Sequence, residues 1–297
     1  MISFFFAFLI CVVITPVVGV LFSNLKLVDI PDANNLGKTH TEVTPFSGGC
    51  SIGLSCSIVV FCNLLFFGFE LLDIFLLSIF MILIGLLDDV FSLDYKFKLC
   101  SQSLVACLIL YVYNIEIPYV HSVLHFPLSF LWIVGITNAI NLIDNLDGAT
   151  SGSLIISLLA LLCFSNIITM SYLCILLGAL CGFVYWNWYP AKMFLGDAGT
   201  LFLGFSVATL SLLNIENFVS QPYDLLLFPM FFAFPILDTT IATVRRVIKR
   251  RPIYLADGSN ITFLLKKKNW KDSNIILFQY FINFACCMFV IVFKNYI

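Results

Sequence analysis

A chain of 297 residues with 61% hydrophobic and only 11% charged residues falls far below the roughly 25% charge of soluble domains, and its mean hydropathy is +1.04. Those figures exclude an ordinary water-soluble globule and leave an all-α polytopic integral membrane protein. The net charge of −2 by itself argues neither for nor against a nucleic-acid partner, because its distribution is what informs; none is expected.

Apolar runs long enough to cross a bilayer, about 17 to 25 residues each, fall near 3–22, 47–68, 70–87, 100–115, 123–140, 152–169, 171–187, 197–214, 224–244 and 275–293. They predict ten helices in a single transmembrane domain covering 1–297. The first run has no basic flank and no small-residue cleavage site, and reads as a retained span. All basic residues except Lys294 lie in alternate connectors: Lys26 and Lys38, Lys96 and Lys98, Lys192, and the cluster from Arg245 to Lys271. The positive-inside rule makes those connectors cytoplasmic and puts both termini outside. The cysteines sit almost all within apolar runs and read as small buried hydrophobes.

Four connectors on the basic side carry chemistry. The first holds Val28-Asp29-Ile30-Pro31, Lys38-Thr39-His40 and Pro45 to Gly49, where Lys38 offers a flexible point charge for phosphate or a nucleotide; an inside-facing loop with ordinary positive charge is the plainer alternative. The second ends the third span with Gly85-Leu86-Leu87-Asp88-Asp89-Val90 and continues to Lys96, Lys98 and Gln102. Two acids at the edge of a span need water, a cation or a partner, and helix-end capping is the alternative. In Asn138 to Gly148, Asn141, Asp144 and Asp147 step by three, a row that would drift slowly around one side of a helix and would need a polar cavity. Asn187-Trp188-Tyr189-Pro190-Ala191-Lys192 then leads to Phe194-Leu195-Gly196-Asp197-Ala198-Gly199-Thr200, which opens the eighth helix, where free N–H groups favour anions. Few carboxylates on one side suit a hard divalent cation completed by substrate phosphates.

In that order these stretches resemble the polyprenyl-phosphate N-acetylhexosamine-1-phosphate transferase superfamily, glycosyltransferase family 4, over nearly the whole chain. The resemblance implies ten or eleven helices, an active site on the cytoplasmic face of the bacterial inner membrane, and a UDP-N-acetylhexosamine donor. The acceptor would be a polyprenyl (undecaprenyl) phosphate and the ion Mg2+, with Mn2+ as substitute. UMP would be released and the lipid-diphosphate-sugar would initiate a cell-envelope glycan such as O-antigen. In that reading Asp88, Asp89 and Asp197 are catalytic, and Asp197 and Asp88 hold the metal. Lys38, Lys96, Lys98, Asn141, Asp144, Asp147, Asn187 and Lys192 bind substrate. Helical residues i and i+1 point about 100° apart, so Asp88 and Asp89 should take different tasks. A homodimer is compatible with the sequence.

Two departures stand out. Between Pro31 and His40 the chain is about three residues longer than the usual pattern, and the last basic loop, where the family carries histidines, reads Asp257-Gly258-Ser259-Asn260-Ile261-Thr262-Phe263. That loop, with Arg250 and Arg251, is a candidate for sugar selectivity; retention at anionic headgroups is its alternative. A rival from another class is an ion-coupled transporter, whose acids would sit near the midplane and not at one edge.

Overall fold

The computed structural model describes residues 2–31, 42–66, 68, 70–254 and 258–296. Lys38, His40 and Asp257 lie outside them. Lipid offers no partner to a backbone amide, so each long apolar run closes its hydrogen bonds within a helix. The long helices are α1 Ile2–Asn24, α2 Gly48–Phe66, α3 Leu72–Phe91, α4 Tyr95–Tyr113, α5 His125–Ile143, α6 Ala149–Leu162, α7 Ile167–Asn187 and α8 Gly196–Leu213. Short helices α9 Ile215–Phe218 and α10 Asp224–Leu227 precede α11 Ala233–Ile248, α12 Ile261–Lys267 and α13 Asp272–Tyr296. Among the described residues nine helical segments are long and apolar enough to span a membrane, and α6 is a shorter apolar helix.

Two of the ten predicted spans differ from expectation. The run at 152–169 becomes α6 with only 14 residues, about 21 Å at 1.5 Å per residue and shorter than a hydrocarbon core of roughly 30 Å. Its apolar sequence continues through Cys163 and Phe164, but Asn166 caps α7 by accepting the Thr169 N–H at 2.8 Å, and that cap ends the run. The 224–244 run is broken: α10 is joined to α11 by a 3-10 segment, Phe228–Phe232, because Pro229 and Pro235 lack N–H groups. Neighbours satisfy the opened backbone, as a break at membrane depth requires. The Ser157 hydroxyl donates to the Phe231 carbonyl at 2.6 Å, and Asn283 Oδ1 accepts the Phe234 N–H at 3.4 Å.

Helix α8 is the axis of the bundle, buried from Ala198 to Leu212. Its first turn wedges between Gly49 of α2 and Gly85 of α3, where a Cβ on either glycine would collide with the Ala198–Gly199 or the Asp197–Ala198 backbone. Strands β1 Val28–Asp29 and β2 Thr44–Pro45 pair antiparallel with Val28 opposite Pro45. Pro45 also accepts the Phe194 N–H at 3.0 Å, while Gly48 and Gly49 donate to the Phe194 and Leu195 carbonyls at 2.9 Å. The entry to α8 is thereby fixed by chain segments about 150 residues away in sequence. At that end of the bundle the segments bearing Asp88, Asp89, Lys98, Asn141, Asp144, Asp147, Asn187 and Asp197 are brought together.

Candidate active site

Helix α3 terminates at Ser92 in the left-handed region, φ 48°, and the Leu93 N–H returns to Asp88 Oδ1 at 2.9 Å. Asp94 caps α4 through the Lys96 N–H at 3.1 Å, so Lys98 stands one turn inside α4 and faces the end of α3. Its ammonium pairs with Asp88 Oδ2 and with Asp197 Oδ2, the latter at 2.6 Å. Asn141 of α5 donates to Asp197 Oδ1 at 2.6 Å and to the Thr200 hydroxyl at 2.8 Å. Both oxygens of Asp197 are thus held, one by a cation and one by an amide.

Asp89 turns the other way, as the 100° step requires. Its Oδ1 accepts the Asp197 N–H at 2.9 Å and its Oδ2 the Ala198 N–H at 3.2 Å. The α8 N-terminus, expected to be open to a substrate anion, is occupied by the protein's own carboxylate, a favourable place for negative charge. Gly196 adopts φ +70°, where a Cβ would lie 2.9 Å from Asp89 Oδ2, so glycine meets both the turn and the contact.

The expected helical row of Asn141, Asp144 and Asp147 is corrected by the end of α5 at Ile143. Asp144 and Asp147 project from a turn, stabilised where Asn145 Nδ2 donates to the Leu142 carbonyl at 2.5 Å. Burial, followed by the charges of Asp197 and Asp147, pushes the Asp144 carboxyl up to about 7. Asp147 Oδ2 accepts the Ala191 N–H at 2.9 Å. Asn187 is buried, and its amide is spent on the protein: Oδ1 accepts the Gly148 N–H and the Ser151 hydroxyl, and Nδ2 donates to the Met193 carbonyl. It shapes the turn more than it faces solvent.

Two cavities meet at Asp89, Asn141 and Asp197. One, of about 640 Å³, is walled further by Asp88, Lys98, Asn138 and Arg246. The other, of about 240 Å³, is walled further by Asp29, Asp144, Asp147 and Phe194. Two predicted cations are not gathered there. The exposed Lys96 has its ammonium 6.0 Å from the Tyr95 ring. Lys192 lies 5.6 Å over the Trp186 ring and lines a third cavity, of about 330 Å³, adjoining at Leu146 and Asp147.

Other wall residues escaped the sequence reading. Arg246 donates to the Ile253 carbonyl at 2.7 Å, and Tyr95 stacks on Tyr254 with centroids 3.8 Å apart and planes within 6°. Arg246 follows Thr239 and Thr243 at i+7 and i+3 on α11, a polar stripe legible in the sequence; the tyrosine pair leaves no sequence signal. Where histidines were expected, Asn260 caps α12 through the Phe263 N–H at 3.2 Å, and the Ile261 N–H donates to Asp238 at 2.6 Å. These positions are buried and structural. His125 and His121 engage local backbone at Val120 and Val123.

Thr239 also joins the larger cavity to an apolar groove of about 550 Å³ between α5 and the broken α10–α11 span, lined by Leu131, Trp132, Ile136, Phe228 and Ile236 among others. Among the described residues no three His, Cys, Asp or Glu side chains converge as a ready metal cage. Yet Asp88 and Asp197 address a single cationic position, taken by the Lys98 ammonium, and among the described residues six aspartates line the two cavities together with Lys98 and Arg246. That donor set fits a hard divalent cation completed by water and phosphate oxygens.

The model of glycosyl transferase family 4 matches residues 71–215, which contain Asp88, Lys98, Asn141 and Asp197. The chain is 32% identical over 307 aligned positions, 99% of its own length and 85% of the relative's, to the "Probable undecaprenyl-phosphate N-acetylglucosaminyl 1-phosphate transferase" of Bacillus subtilis. It is 31% identical, over 89% of its length and 82% of the relative's, to the undecaprenyl-phosphate alpha-N-acetylglucosaminyl 1-phosphate transferase of Thermotoga maritima. A phospho-N-acetylmuramoyl-pentapeptide-transferase of Lactobacillus gasseri matches at 31% over 58% of this chain and 61% of its own. With a relative this similar along essentially its whole length, the chain belongs to glycosyl transferase family 4.

Proposed function

We propose that the protein transfers an N-acetylhexosamine 1-phosphate from a UDP-sugar to a polyprenyl phosphate, undecaprenyl phosphate in a bacterial inner membrane, with release of UMP on the cytoplasmic side. The observation that carries this reading is the junction at Thr239. An apolar groove suited to a prenyl chain runs there into the polar cavity where Asp88, Asp197 and Lys98 converge. The names of the relatives support both the phospho-sugar and the lipid phosphate.

The acceptor phosphate is already an anionic nucleophile, so the chief task is to bring two anions together in line. A phosphate oxygen of the lipid attacks the β-phosphorus of the donor; a new P–O bond forms as the bridging bond to UMP breaks. Asp197 and Asp88 would hold Mg2+ with the diphosphate oxygens, and the ion would neutralise charge developing on them. Lys98 supplies further positive charge beside the transferring group. Asp89 fixes the Asp197 backbone, and Asn141 sets the direction of the Asp197 carboxylate. The smaller cavity, with Asp144, Asp147 and Phe194, receives the uridine and sugar end of the donor. The test is UMP release by the purified protein in lipid nanodiscs, with undecaprenyl phosphate and a panel of UDP-N-acetylhexosamines, with and without EDTA. Release with one donor, dependent on both lipid and metal, is expected; release without lipid, or undiminished in EDTA, overturns the reading.

A further inference from the structure

Helix α13 lies beyond the residues matched by the family model, yet it reaches the turn carrying Asp144 and Asp147. The Tyr280 hydroxyl donates to the Gly148 carbonyl at 2.6 Å, and Gln279 Nε2 donates to the Ala149 carbonyl at 3.1 Å and the Ser153 hydroxyl at 2.8 Å. One turn on, Asn283 Nδ2 donates to the Ser153 carbonyl and the Ser157 hydroxyl. Gly148 sits at φ +74°, and its peptide groups are gripped from two helices, the N–H by Asn187 of α7 and the C=O by Tyr280 of α13. Tyr280 comes so close only because residue 152 is glycine: a Cβ there would fall on the phenol ring.

We propose that Tyr280 is a positioning residue for the donor, holding the Asp144–Gly148 turn at the height at which its carboxylates wall the smaller cavity. The inference rests on assigning that cavity to the donor. Tyr280 touches neither Asp88, Lys98 nor Asp197, and a loosened turn therefore weakens donor engagement while leaving the phosphoryl-transfer groups in place.

Tyr280→Phe keeps the ring and removes the hydroxyl. Donor KM should rise about fivefold with kcat and acceptor KM within about twofold, the split expected when binding geometry alone is lost. Gly152→Ala, which displaces the ring, should shift the same constant in the same direction. Phe284→Leu, on the exposed face of α13 at 54% accessibility, should change none. In parallel, amide exchange of residues 144–152 should quicken in Tyr280→Phe and stay protected in Phe284→Leu. An unchanged donor KM in Tyr280→Phe overturns the proposal, as does a fall of kcat together with a rise of both KM values, which marks a merely structural tyrosine. Should the wild type release no UMP from any UDP-sugar, the donor assignment fails, and exchange alone decides the clamp: faster exchange confined to 144–152 upholds it, unchanged exchange removes it.

Discussion

The two polar ends of the bundle handle charge in opposite ways. At the end remote from the site, the buried acid and the polar side chains around it find partners within the protein. Asp224, fully buried, takes the Lys294 ammonium at 2.7 Å and the N–H groups of Ser220 and Gln221 at 2.8 Å. Asp73 accepts the Tyr113 hydroxyl at 2.7 Å, and Asn214 Oδ1 accepts the Asn166 N–H and the Thr169 hydroxyl. At the site end three aspartates crowd one ammonium and one helix terminus, and more acids line the adjoining cavity. Paired groups staple helices together; two carboxylates sharing one ammonium can take a further cation from outside.

That contrast can be broken most forcibly at Asp197. Asp197→Asn should lower UMP release by about a thousandfold, the scale of losing a key electrostatic group, while the protein stays folded in membranes by gel filtration. Near-normal turnover would remove Asp197 from the metal site. Lys98→Met should lower kcat/KM by about a hundredfold and also lower the Mg2+ concentration giving half-maximal rate, since no ammonium competes for Asp88 and Asp197. An unshifted Mg2+ titration would mean that lysine and metal do not share those carboxylates.

Asp89→Asn sharpens the comparison from the side of the fold. An amide cannot accept both N–H groups as a carboxylate does, so thermal unfolding in detergent should show a loss of about 1–2 kcal/mol with a milder, about tenfold, fall in kcat as Asp197 shifts. The remote end should show the reverse pattern. Lys294→Met strands the buried Asp224 and should cost about 3–5 kcal/mol of stability, yet leave kcat/KM unchanged at temperatures where the variant is folded. A catalytic defect there would join the two ends functionally.

Most of the bundle was legible because apolar runs and helices coincide in lipid, where the backbone has no alternative partner. The reading lapsed where apolar sequence outlasts the helix, as at Cys163 and Phe164, and where Pro229 and Pro235, visible in the sequence, interrupt a run without lowering its hydropathy. The acids of the site stood out for being expensive in an apolar chain. Their division of labour did not, since it depends on partners far apart: Asp89 meets the Asp197 N–H across 108 positions and Lys98 meets Asp197 across 99. The row at Asn141, Asp144 and Asp147 was seen as residues but misjudged as a helix, because the stop lies in the turn conformation of Asp144 and Gly148. Tyr280 gave no signal, being one phenol in an aromatic-rich last span.

The groove beside α5 opens sideways, with Leu131 on its wall 67% exposed. For a lipid acceptor lying in it, approach and departure take place within the plane of the bilayer, and the prenyl tail never passes through water. The quantity that saturates such an enzyme is then the number of acceptor molecules per lipid, not per litre. Diluting the membrane with inert phospholipid would slow turnover; diluting the suspension with buffer that keeps the UDP-sugar and Mg2+ concentrations constant would not.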